Sequence, residues 1–115
     1  MPSITGDSLR GHLETLILSV LKRSGEAHGF EILKRLESAG SGALNLKEGS
    51  LYPALYRLER AGQVKAEWES NSTPRRGPRR RIYRLTPKGA RRLEAARNEF
   101  QNFVTIVGGI LGTTA

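Results

Sequence analysis

Between Asn71 and Arg92 the chain places nine cationic side chains, Arg75, Arg76, Arg79, Arg80, Arg81, Arg84, Lys88, Arg91 and Arg92, and no carboxylate. The whole chain carries +8, so everything outside that window sums to −1. Charge segregated this sharply makes one positive surface on a nearly neutral body, and such a surface attracts a polyanion by long-range steering and release of condensed counterions. The plain alternative is a solvated basic face. What flanks the run favours nucleic acid.

Residues for other chemistry are sparse. His12 falls on a helix and His28 at a helix start, with no cysteine and no carboxylate pair spaced for a metal or for acid-base work. No enzyme, metal or cofactor is expected. The lack of cysteine also rules out disulfides and suits a reducing cytoplasm, the expected location. The apolar stretch from Leu16 to Leu21 is already broken by Ser19, so no membrane-spanning helix and no membrane partner are expected. At 115 residues the chain should form one compact domain, small enough for dimerisation to add useful burial.

The elements that must position the basic run follow from periodicity. From Ser8 to Arg23 the residues Leu9, Leu13, Leu16, Ile17, Val20 and Leu21 form one apolar helical stripe, ended by Ser24-Gly25. A second helix follows Ala27-His28-Gly29, with Phe30, Leu33 and Leu36 inward, Ile32 beside them, and the Ser/Gly-rich segment from Ser38 to Gly42 as its stop. A third carries Leu51, Leu55 and Leu58 and ends at Ala61-Gly62, where glycine can take the left-handed conformation. Pro53 leaves its start open: either between Lys47 and Ser50, or with a kink at Tyr52. After Gly62 the period falls to two. Val64, Ala66 and Trp68 alternate with Lys65, Glu67 and Glu69, and Arg81 to Thr86 reads as the antiparallel partner with Tyr83 and Leu85 inward. Asn71 to Arg80 then forms an exposed hairpin loop, which puts most of the arginines at the tip of a β-ribbon.

Thr86-Pro87 opens a fourth helix, threonine capping its free amides and proline occupying its first position. Leu93, Ala96, Phe100, Phe103, Val107 and Ile110 repeat along it at alternating three and four, a seam of coiled-coil type, with Val104 adjoining. The expected partner is a second copy, Leu9, Leu13 and Leu16 of the first helix sharing the interface.

Three helices, a two-stranded basic ribbon and a further helix are the order of a winged helix-turn-helix. The expected fold is α+β and mainly α: a DNA-binding unit over residues 1–86 and a C-terminal dimerisation helix and tail over 87–115. In this arrangement the third helix enters the major groove of double-stranded DNA and the ribbon straddles the neighbouring backbone. Opposite the leucines, the third helix offers Ser50, Pro53, Ala54 and Arg57, with Tyr52 and Tyr56 flanking. Lys47 and the wing cations Arg75, Arg76, Arg79, Arg80 and Arg81 complete the candidate contacts. Arg57 could equally pair with Glu31 or another surface carboxylate.

The run from Glu48 to Glu59 (EGSLYPALYRLE), with His28-Gly29-Phe30-Glu31-Ile32 upstream and Tyr83-Arg84-Leu85-Thr86-Pro87-Lys88-Gly89 downstream, resembles the PadR family of bacterial transcriptional regulators. The likeness extends from about Leu9 to Leu93. It implies a homodimeric repressor on inverted-repeat operators, released by an inducer, with Ser50, Tyr52 and the His28-Gly29 turn at the DNA and wing cations on backbone or minor groove. Phe30 stands where that family usually has tyrosine, and the wing is unusually rich in arginine. With one helix after the wing, the chain is similar to the short branch of the family, in which that helix makes the dimer. An inducer could lodge between the first and fourth helices across the dimer, with Trp68 as an apolar wall, although a tryptophan buried at the wing base needs no ligand. Two other readings remain open: an architectural protein binding DNA without sequence preference, and a protein-interaction module with a basic wing.

Overall fold

The first helix, α1 (Leu13–Ser24), is the centre of the molecule, packing against the second, third and fourth helices and the inner strand of the wing. The computed structural model describes residues 4–5, 11–70 and 77–113. Because α1 is surrounded, it buries more than one stripe: Ile17, Leu18, Val20 and Leu21 are all inside, and Leu18, outside the expected stripe, is fully enclosed. Leu13 and Leu16 are partly buried against that core, while Leu9 lies outside the described residues. Gly25, at φ 81°, ends the helix and donates its N–H to the Leu21 carbonyl.

Helix α2 (Gly29–Ala39) begins with a reciprocal cap. The His28 Nδ1 accepts from the Glu31 amide and the Glu31 carboxylate accepts from the His28 amide, both at 3.3 Å. Its inner face is Ile32, Leu33 and Leu36; Phe30, expected inside, is half exposed and lies beneath the Lys34 ammonium. Helix α3 (Glu48–Arg60) starts within the expected window and holds Pro53 in its interior. Its buried residues are Leu51, Ala54, Leu55 and Leu58. Gly62, at φ 73°, takes the left-handed conformation, and the Gln63 amide closes on the Leu58 carbonyl.

Strands β4 (Val64–Trp68) and β5 (Arg81–Leu85) pair antiparallel, Val64 opposite Leu85 and Ala66 opposite Tyr83. The wing sheet is three-stranded rather than two-stranded. The short β2 (Ala27–His28) joins the other edge of β5, with Ala27 opposite Tyr83 and His28 opposite Ile82. A parallel two-residue pair, β1 (Ile4–Thr5) with β3 (Leu44–Asn45), lies apart from it.

Helix α4 (Pro87–Leu111) is capped as its first residues require: the Thr86 hydroxyl accepts from the Gly89 amide at 3.1 Å and donates to the Gly62 carbonyl at 2.7 Å. Leu93 belongs to the core of its own chain, 4% exposed, which leaves it almost no surface for a second copy. Past it the helix leaves the core. Phe100, Phe103, Ile106, Ile110 and Leu111 are all exposed, while Ala96, Val104 and Val107 are half-buried. No described helix is long and apolar enough to cross a membrane.

Candidate nucleic-acid interface

On α3, Leu51, Ala54, Leu55 and Leu58 recur at three and four, so they define one buried side. At about 100° per residue the opposite side is centred on Gly49, Pro53, Tyr56 and Arg60, all exposed. This is about a quarter turn from the face expected from sequence. Ala54, expected at the groove, is completely buried. Ser50 and Arg57 form one flank of the exposed side and Tyr52 the other. Arg60, absent from the sequence expectation, projects from the middle of that side with its guanidinium 5.7 Å from the centre of the Tyr56 ring. The signal was present in the 51, 54, 55, 58 spacing, which makes alanine a core residue rather than a small groove-facing one.

The Tyr52 flank meets α2 and the wing. Its ring lies so close to Gly29 that a β-carbon there would stand 2.6 Å from Cε1 and 2.7 Å from the hydroxyl. Together Tyr52, Gly29, His28, Phe30, Arg79 and Arg80 line a cleft of about 340 Å³. The Arg80 amide donates to a Glu69 carboxylate oxygen at 3.0 Å, and its guanidinium stands 2.9 Å from His28 Nε2. The α2 N-terminus, with its partial positive charge, opens at the same place. Burial of Tyr83 on the cleft floor pushes its hydroxyl pKa up, so it remains a neutral group near neutral pH. Cations, a helix N-terminus and phenolic donors on one concave surface are the chemistry that holds phosphate.

The other expected contacts separate. Lys47 is exposed in the position before α3, and Ser50 and Pro53 are exposed on its first turns. Arg81 turns back onto the protein, its guanidinium bonded to Glu59 of α3 at 2.5 Å. Arg57 likewise donates to Glu14 of α1 at 2.9 Å. Arg75 and Arg76 lie outside the described residues. Trp68, expected in the core, is 55% exposed at the end of β4, with the Arg79 and Arg81 guanidiniums 5.8 Å and 5.6 Å from its ring centre. The alternation of β4 is real, but the strand runs beyond the edge of the core before it reaches Trp68.

Four helices on a small antiparallel sheet, with the wing beside the exposed side of α3, define a winged helix-turn-helix. The Transcriptional regulator PadR-like family matches residues 17–95, more than half of the chain. A transcriptional regulator from Clostridium thermocellum has a similar structure, with a TM-score of 0.79 at 30% identity, 90% of this chain and 97% of that one being covered. A PadR family regulator from Eggerthella lenta gives 0.77 at 30% identity over 94% and 88% of the two chains. An uncharacterised protein from Lysinibacillus sphaericus is 29% identical over 86 residues, 75% of each chain. The chain belongs to the PadR-like family of transcriptional regulators, DNA-binding winged-helix proteins and not enzymes.

Proposed function

We propose that the chain is a homodimeric repressor acting on an inverted-repeat operator. The observation that carries DNA recognition is the convergence of the α2 N-terminus, Tyr52 and Arg79-Arg80 on one cleft beside the exposed side of α3. That side can reach base edges in a major groove about 12 Å wide, while the wing arginines meet the backbone. Dimerisation is supported by the exposed apolar row Phe100, Phe103, Ile106 and Ile110, which water would otherwise cover at a hydrophobic cost. Leu13, Leu16, Ala96, Val104 and Val107 retain part of their surface beside that row. An inducer acting between α1 and α4 would not use Trp68, which stands on the wing.

Selection of bound sites from random DNA, followed by sedimentation equilibrium of free and bound protein, tests the proposal. The expected result is a dimer and an enriched inverted repeat with half-sites about 10 base pairs apart, one helical turn. Phe100→Glu together with Phe103→Glu should yield monomers, because an interface would have to bury unpaired charges. Enrichment of no sequence would instead assign an architectural role. A wild type that remains monomeric at about the micromolar concentrations of specific dimers would remove the palindromic operator.

A further inference from the structure

Glu14, in the first turn of α1, accepts from two arginines of two other helices. Arg57 Nε of α3 reaches its Oε2 at 2.9 Å, and Arg92 Nη1 of α4 reaches its Oε1 at 2.9 Å. Arg92 also donates to the Gln63 side chain at 2.5 Å, so it is anchored without Glu14. Arg57 has no second carboxylate among the described ion pairs and is 57% exposed, on the flank of the recognition side that carries Ser50. The Glu14 side chain is 24% exposed.

We infer that Glu14 is a positioning residue that lowers DNA affinity: it holds the Arg57 guanidinium back from the phosphates of unselected DNA and releases it only to a contact stronger than the ion pair. The inference deepens the DNA-binding reading and rests on it. An exposed ion pair is worth no more than about fivefold in an equilibrium constant, and one phosphate contact on a random duplex is of similar size. On such DNA, Arg57 gains little by leaving Glu14. A bidentate contact to guanine is worth roughly 5- to 150-fold, enough to draw the same side chain away. Arg92, itself bonded to Gln63, keeps the carboxylate in place meanwhile, so the masking group is ready when DNA is released. Arg57 thus adds to affinity on a matching site by the guanine contact less the cost of leaving Glu14, and adds almost nothing elsewhere.

The experiment compares wild type, Glu14→Gln, Arg57→Ala and the double variant, on a selected operator and on a random duplex of about two helical turns, across about 50 to 200 mM salt. Glutamine keeps the shape of Glu14 and one acceptor for Arg92 but loses the charge that retains Arg57. Glu14→Gln should tighten the random duplex about threefold and steepen its log–log salt dependence by about 0.9, one added phosphate contact. The operator should tighten at least as much, up to about fivefold, because the guanine contact requires the ion pair to be broken in full. In the Arg57→Ala background the same substitution should do nothing, which separates release of Arg57 from a general gain in positive charge. Glu14→Asp, which keeps the charge but shortens the reach to Arg57, should act in the same direction, and it carries the test if the glutamine variant does not fold. A gain that persists without Arg57, or no gain on random DNA in a folded variant, overturns the role of Glu14 alone. Wild type that binds neither duplex would remove the DNA-binding reading, and the inference with it.

Discussion

The Tyr52 ring rests directly on the Cα of Gly29, and this contact joins the recognition helix to the start of the second helix. It accounts for the glycine without any special backbone angle. Gly29→Ala would thrust a methyl group to 2.6 Å from Cε1, so the ring must swing away. The obstructing atoms are the free end of a flexible side chain, and alanine favours the helix by about 0.5–1 kcal/mol. Stability should therefore change by less than about 1 kcal/mol in urea titrations. Operator affinity, read by fluorescence anisotropy, should fall about tenfold as Tyr52 leaves the cleft, more than for Tyr52→Phe, which loses one hydrogen bond of about 1 kcal/mol. Unaltered binding by both variants would place Tyr52 away from the DNA.

Gly89 presents the opposite case. A β-carbon there would collide with the Gln63 carbonyl oxygen and come within 2.8 Å of Leu85 Cδ1. Because one obstruction is backbone, α4 would have to lift from the loop that feeds β4. Gly89→Ala should cost about 1–3 kcal/mol, as overpacked sites do. In a domain of this size that lowers the melting temperature by roughly 4–8 °C per kcal/mol. A melting curve superposable on wild type would contradict the packing.

Local signals carried most of the fold. The Thr86-Pro87 start, the Gly62 stop and the alternation through Val64 and Ala66 each depend on neighbours within a few residues, and each reappears in the structure. What sequence could not supply was distance. Strand β2 is two residues long and exists only because β5, more than fifty positions later, offers a free edge. The pairing of Arg57 with Glu14 spans 43 positions, so sequence could say only that some carboxylate was a candidate partner. The recognition side is a different matter: Ala54 fits a groove or a core equally well by size, and only its three-and-four spacing with Leu51, Leu55 and Leu58 marks it as core. The same spacing brings Arg60 to the exposed side.

Trp68 is the chain's one tryptophan and stands on the wing between Arg79 and Arg81, so its emission reports on that element alone. Free protein should emit as an exposed indole. Adding DNA should shift the spectrum to shorter wavelength, or quench it, as the wing arginines turn towards phosphate and the ring loses water. Arg79→Ala with Arg80→Ala should weaken operator and random duplexes by similar factors and flatten the salt dependence by about 0.9 per contact removed, because phosphates carry no sequence. A loss confined to the operator would show that these arginines read bases.

Glu14 should also leave a signature in stability against pH. Its partial burial would raise the carboxyl pKa, but hydrogen bonds from Arg92 and Arg57, and their charges, outweigh that and hold it below the ordinary carboxylate value. A carboxylate depressed in the folded state binds its proton more readily when unfolded. Its stabilisation is therefore complete above the unfolded value and fades as pH falls through the folded one. The group is partly exposed, so solvent screens the pair and the expected contribution is about 1 kcal/mol or less. Urea unfolding of wild type and Glu14→Gln should differ by that amount near pH 7, and the two curves should converge below about pH 4. Other titrating groups are common to both proteins and cancel in the comparison. High salt should shrink the difference at pH 7 as well. A gap that widens on acidification would mean that Glu14 is protonated in the folded state and that its two arginines are not held by charge.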